Sequence, residues 1–171
     1  GAEVILISGP TNLAPPNGVT FIPVVSTKDM YDAVMSNLEV DVVIKAAAPA
    51  DYKPVSYSLE KIKKSDAILT MDFDKNPDIL KRVGELKTNQ ILVGFAAETH
   101  EVEAYAKKKL NEKNLDFIVA NDVTVEGAGF NGDTNIVTIF DKDGGSTSYD
   151  CMEKTEVARV ILDKVFEKLK P

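Results

Sequence analysis

Five short, β-branched apolar runs, at residues 4–7, 20–24, 40–46, 91–95 and 117–120, alternate with segments of helical periodicity at 28–38, 77–87, 101–113 and 153–169. The runs show little polar alternation, which is how strands covered on both faces read. Parallel neighbours need a crossover, so this rhythm predicts an α/β fold: a mostly parallel sheet with helices on both faces. Two segments depart from it. Residues 67–73 alternate as an extended strand with no helix before them, which predicts a hairpin or arm. Residues 135–140 and 146–149 flank Asp141-Lys142-Asp143-Gly144-Gly145, a good hairpin turn. The 171 residues suffice for one domain with a sizeable core, and no repeat, low-complexity segment or dividing linker is visible.

A net charge of −7 argues against a nucleic-acid backbone as partner, because phosphate tracking needs a basic face. The cations are nevertheless uneven. Lys61, Lys63, Lys64, Lys107, Lys108, Lys109 and Lys113 crowd into two short windows of an acidic chain. Such local charge suits a small anionic ligand, and it also suits two solvated faces. A single cysteine, Cys151, forbids an intrachain disulfide and fits a reducing cytosol, so a cytoplasmic location is expected. No apolar run approaches the ~20 residues of a membrane-spanning helix, and no signal peptide is visible. The opening Gly1-Ala2-Glu3, without Met, reads as a piece of something longer.

In open parallel sheets the ligand lies outside the carboxyl ends of the strands. Three such ends are unusual here. The first is followed by Ala46-Ala47-Ala48-Pro49-Ala50-Asp51, the second by Gly94-Phe95-Ala96-Ala97-Glu98-Thr99, the third by Asn121-Asp122. Small residues let another molecule approach the backbone, and the carboxylates and amides supply hydrogen-bonding or metal-binding groups. Any one of these ends is explained by tight helix packing; three together favour a site. A proline-bearing loop from Asp51 then leads to Glu60-Lys61-Ile62-Lys63-Lys64.

On a period of 3.6, Val102, Tyr105, Ala106 and Leu110 form one stripe of the 101–113 helix, and Lys109 and Lys113 fall within it. Lys107 and Lys108 point elsewhere. Inward lysines carry a desolvation cost unless the charge escapes to water or meets an anion, although a last-turn cation also complements the helix dipole. Asn76-Pro77-Asp78 reads as a helix start, with Asn76 as N-cap, Pro77 at the first helical position and Ile79, Leu80, Val83 and Leu86 as the buried stripe. His100 is the only histidine, so a histidine-based metal site or triad would rest on it alone. No GxGxxG or Walker-type loop is present, and the glycine-bearing loop 126–133 is not of phosphate-binding type.

Taken in order, AAAPADYKP, EKIKK, KNPDIL, GFAAET, KKKLNEKNLD, IVANDV and GFNGDTN closely resemble bacterial phosphopantothenoylcysteine synthetase, over essentially residues 1–171. The resemblance implies a Rossmann-like fold, a homodimer, and a ligase domain fused to a flavin-dependent decarboxylase in coenzyme A biosynthesis. It implies CTP and Mg2+ or Mn2+ as co-substrate and cation, and 4′-phosphopantothenate and cysteine as the molecules joined. It places Lys45, Ala46 and Ala47 against the nucleotide, and Asp51 near ribose and metal. Lys61 becomes a mobile triphosphate clamp, with Lys63 and Lys64 continuing its loop. Asn76, Pro77, Asp78, Ile79 and Leu80 become a nucleotide-contacting helix start, and Phe95 a wall of the pocket. Lys109 and Lys113 become an inward pair on the phosphates. Lys61 and Asp51 would be the catalytic residues.

Two departures stand out. Pro49 replaces the usual Val of the family's AAVADY motif. The family's first strand, its glycine-rich loop and the helix after it have no counterpart in the sequence, so the chain is expected to bind nucleotide and to be incomplete for the full reaction. Three rivals remain open: an ATP-using version of the same ligase, a Rossmann-like oxidoreductase, and a non-catalytic dimer module.

Overall fold

A computed structural model describes residues 1–58, 60–63, 68–98, 100–122 and 132–170. In chain order its elements are β1 (Val4–Ser8), β2 (Val19–Pro23), α1 (Thr27–Met35), β3 (Val42–Lys45), β4 (Tyr52–Pro54), β5 (Phe73–Lys75) and α2 (Ile79–Leu86). There follow β6 (Ile91–Glu98), α3 (Val102–Glu112), β7 (Phe117–Asp122), β8 (Thr134–Asp141), β9 (Ser146–Glu153) and α4 (Lys154–Leu169). They form two compact units interleaved along the chain. One comprises Gly1–Asn37 with Ala47–Ile79, the other Leu38–Ala46 with Leu80–Pro171.

The second unit holds a five-stranded sheet in the order β3-β6-β7-β8-β9. β3, β6 and β7 pair in parallel, β8 runs against β7, and β9 against β8, so four of the five strands share one direction. This is the expected mostly parallel α/β sheet. Successive side chains on a strand point to opposite faces. Ile91 and Val93 of β6, Phe117 and Val119 of β7, and Val137 and Ile139 of β8 pack with Val157, Ile161 and Val165 of α4. The intervening Leu92 and Ile118 are buried on the other face, where α3 contributes Ala106 and Leu110. Each Val, Leu, Ile and Phe side chain among them contributes about 1.5–3 kcal/mol on leaving water. The β8–β9 hairpin closes through Gly144 at φ +94, in the predicted turn, where the positive φ favours glycine.

Asp116, buried just before β7, ties this unit together. Its Oδ2 accepts from the Leu92 N–H at 2.8 Å and from the Lys87 ammonium, and its Oδ1 lies 3.0 Å from Lys142 Nζ. Burial alone would raise its pKa. The Lys87 hydrogen bond, the Leu92 N–H and Lys142 together outweigh that and hold the carboxyl below its ordinary value.

The first unit is built differently. β1 and β2 form a two-stranded parallel sheet, and β4 and β5 a separate antiparallel ribbon extended by a Val55 N–H to Asp72 O bond of 2.9 Å. Val4, Ile5 and Phe21 remain exposed although α1 packs on β1, so the expectation that β1 and β2 are covered on both faces is not met. The expected strand at 67–73 is displaced to Phe73–Lys75; Ala67 lies outside the described residues, and 68–72 are not in a strand. The helix expected from Pro77 starts at Ile79. The Asn76 backbone N–H donates to Asp51 O at 2.8 Å and its side-chain amide to Ala50 O at 2.9 Å, which fastens the segment to the 50–51 loop.

Candidate functional site

The residues singled out by sequence divide between the two units. In the first unit, Ala47 and Asp51 lie on the exposed loop that follows β3, and Lys61 on the exposed segment beyond β4. The small residues do what small residues allow: with Gly9, Val24, Ser26 and Met30, Ala47 and Ala50 line a cavity of about 310 Å³. It sits at the carboxyl ends of β1 and β2 and the N-terminus of α1. Ser26 caps that helix. Its Oγ accepts from the Asp29 N–H at 3.1 Å, while Asp29 Oδ2 accepts from the Ser26 N–H at 2.8 Å. These bonds, the one from the Ser26 backbone N–H first, hold Asp29 below its ordinary carboxylate range. Gly9, Ser26 and Met30 were not singled out by sequence reasoning. The Ser26-x-x-Asp29 spacing was the available signal.

Asn76 reaches across to the loop at residues 50–51. Its amide donates to Ala50 O and, at 3.4 Å, to Thr27 Oγ1, so the residue braces the loop that carries Asp51. Pro77 and Asp78 are exposed ahead of α2, and Ile79 and Leu80 are buried in its first turn. Among the described residues no group of three His, Cys, Asp or Glu side chains could hold a metal ion. Asp51 as a single carboxylate still fits a hard cation of the Mg2+ type, which takes its remaining ligands from phosphate oxygens and water.

In the second unit, Lys45 ends β3 half-buried opposite Gly94 of β6, and Ala46 follows it, exposed. β6 runs on to Glu98, in register with β7 as far as Asp122, so Gly94, Ala96 and Ala97 lie inside the strand and not in a loop after it. Gly94 is explained by packing: a Cβ there would stand 2.8 Å from Leu80 Cδ2 and 2.9 Å from Leu115 Cδ1. Phe95 is partly buried against the α4-side cluster. Asn121, at the end of β7, donates to Asn135 Oδ1 at 3.4 Å. Lys64, Thr99 and the loop residues 126–131 lie outside the described residues.

The α3 stripe falls as its spacing predicts. Ala106 and Leu110 are buried, and Val102, Tyr105, Lys109 and Lys113 are half-buried. Lys107 and Lys108 are exposed and lie against Glu103 and Glu112 of their own helix. The helix therefore holds two ammonium stems against the protein and releases two to solvent. That arrangement can present positive charge to an anion. No helix among the described residues is long and apolar enough to cross a membrane.

Comparison with known proteins supplies a family. Residues 1–169 match the family described as DNA/pantothenate metabolism flavoprotein C-terminal domain. The Coenzyme A biosynthesis bifunctional protein CoaBC of Bacillus subtilis (strain 168) is 53% identical over 167 residues, covering 96% of this chain and 41% of the relative. The chain thus spans about two fifths of the curated relatives it matches. A solved C-terminal domain of a CoaBC protein superposes with a TM-score of 0.83 at 46% identity, over 99% of this chain and 76% of that one. A more distant solved chain, a Cab2 mutant in complex with phosphopantothenate-cysteine, shares the fold at 18% identity and a TM-score of 0.65, over 90% of this chain and 56% of that one. By the extent and identity of these matches, the chain belongs to the family of DNA/pantothenate metabolism flavoprotein C-terminal domains.

Proposed function

We propose that the chain is the nucleotide-activating part of a phosphopantothenate–cysteine ligase. The 4′-phosphopantothenate carboxylate attacks the α-phosphorus of CTP, forming an acyl-cytidylate and expelling pyrophosphate. The cysteine amine then attacks the acyl carbon, forming the amide and releasing CMP. The observation that carries the reading is the partition of the α3 lysines, with Lys109 and Lys113 held half-buried and their neighbours solvated. The kinship with CoaBC supports it.

Pyrophosphate leaves as a polyanion, so cations whose attraction grows with the developing charge accelerate that step; one well-placed charge contributes ~3 kcal/mol. Lys109 and Lys113 serve the phosphates in this reading, and Lys61, on its exposed segment, serves as the clamp that arrives with the nucleotide. Asp51 would hold Mg2+ or Mn2+ beside the triphosphate, which neutralises its charge. Lys45, Ala46 and Ala47 offer backbone to the nucleoside, with Asn76 to Leu80 and Phe95 completing its surroundings. The domain works in the cytoplasm as a homodimer fused to a flavin-dependent decarboxylase. Tyr57, Ile62, Ile68 and Leu69 are large apolar side chains left exposed beside the β4–β5 ribbon, which supports a second copy as its partner.

Isothermal titration with CTP, ATP and NAD, each with Mg2+, tests the reading. CTP-selective heat that disappears in Lys109→Ala is expected. ATP-selective heat would reassign the base, NAD binding would favour an oxidoreductase, and no heat with any of them would leave a non-catalytic dimer module. Lys61→Gln should leave folding intact and slow pyrophosphate release about 100-fold in the full-length protein; an unchanged rate removes the loop from the mechanism.

A further inference from the structure

Gly84 lies buried inside α2, where glycine costs about 1 kcal/mol relative to alanine. What it gains is proximity. A Cβ at this position would stand 1.9 Å from the carbonyl oxygen of Lys113 and 2.8 Å from its carbonyl carbon. Two hydrogen bonds hold the same junction. Asn114 Nδ2 donates to Gly84 O at 3.0 Å, and Lys87 Nζ, one turn further on, donates to Asn114 O at 3.2 Å. Asn114 itself is left-handed at φ +51, a conformation asparagine tolerates, and the Leu115 N–H returns to Leu110 O at 3.0 Å to close the end of α3. The last turn of α3 is therefore seated on the backbone of α2, with no room for a methyl group between them.

We propose that Gly84 is a positioning residue for the Lys113 ammonium: by letting the two backbones touch, it fixes where that charge meets the polyphosphate of the nucleotide. The inference rests on the phosphate-binding role of Lys113 given above. A side chain at 84 forces the Lys113 carbonyl to retreat by about 1 Å before the contact is tolerable. The neighbouring Cα moves with it. A lysine at a helix end projects back along its own helix, so a displaced Cα carries the whole stem away from its place in the stripe.

The test is a double-mutant cycle in the full-length protein, with dissociation constants for CTP and for CMP measured calorimetrically in Mg2+. Gly84→Ala should weaken CTP about tenfold and leave CMP within about twofold of wild type. In a Lys113→Met background, Gly84→Ala should then have no further effect on CTP. Equal losses for CTP and CMP, or full additivity with Lys113→Met, would overturn the proposal, because a general packing defect gives those outcomes. Should Gly84→Ala fail to fold, Asn114→Gly keeps the left-handed turn while deleting the amide tie to Gly84. A CTP-selective loss of about threefold supports the proposal there, and none overturns it. If Lys113→Met leaves CTP affinity unchanged, the phosphate reading of Lys113 falls and takes this inference with it. If Lys113→Met weakens CTP while both junction variants bind normally, only this inference falls.

Discussion

α1 and α4 are helices of one chain held by opposite means. α1 buries no side chain, yet it carries a complete capping box at Ser26 and Asp29 and a Lys28–Asp32 pair one turn apart. α4 has no side-chain cap at Glu153, and α3 none at Glu101, but they bury Val157, Ile161 and Val165, and Ala106 and Leu110. Where tertiary packing is rich, local capping signals are dispensable; where it is sparse, they carry the helix. The same division runs through the two units. The central strands β6 and β7 of the second unit are covered on both faces, whereas in the first unit Val4, Ile5 and Phe21 stay in contact with water.

That contrast ranks substitutions by unit. The largest effect belongs to Asp116→Asn, which strands Lys87, whose side chain is 10% exposed, without its counter-charge; a loss of roughly 3–5 kcal/mol is expected in urea unfolding. The same variant sharpens the pH behaviour. Asp116 has a folded-state pKa below its unfolded value of about 3.9, so its contribution is complete above that value and is lost as pH falls through the folded one. Asp116→Asn should therefore flatten the acid limb of the stability curve below about pH 4, and an unchanged limb would dismiss the carboxylate as its source. Next comes Leu110→Ala in the buried stripe of α3, expected to cost about 2–4 kcal/mol. Ser26→Ala should cost about 1 kcal/mol, and the loss should appear as amide exchange in α1 with little change elsewhere. Asp32→Ala, removing an exposed pair, should cost under about 0.5 kcal/mol; a larger value would mean that α1 has tertiary support after all.

The second unit was legible in the sequence because its signals are tertiary and redundant. Continuous apolar runs gave β6 and β7, Asp-Gly-Gly gave the hairpin, and 3.6-residue spacing separated Lys109 and Lys113 from Lys107 and Lys108. The first unit was read less well, for a physical reason. An apolar run such as Val4–Ser8 looks the same whether or not anything covers it. Asn76 shows a different blind spot: its local context reads only as a helix cap, and nothing in it announces the bonds to Ala50 and Asp51, about 25 residues upstream. Gly94 was read as an opening for a ligand and is instead filled by Leu80 and Leu115. Gly84 drew no attention at all, because no spacing reveals that a carbonyl lies against it.

The second unit is also discontinuous: the chain leaves it after Ala46 and returns at Leu80. Closing an excursion of this length costs on the order of 3 kcal/mol in chain entropy, a penalty that falls on β3 alone among the strands of the sheet. β3 is the outermost strand on its side, held by its ladder to β6, by the Ile91 N–H to Asp41 O and by Gln90 Nε2 to Leu38 O. It is thus the strand to dock last and to peel first. Because Lys45 and Ala46 ride on its end, the sheet would reach its final width only when that stretch locks home.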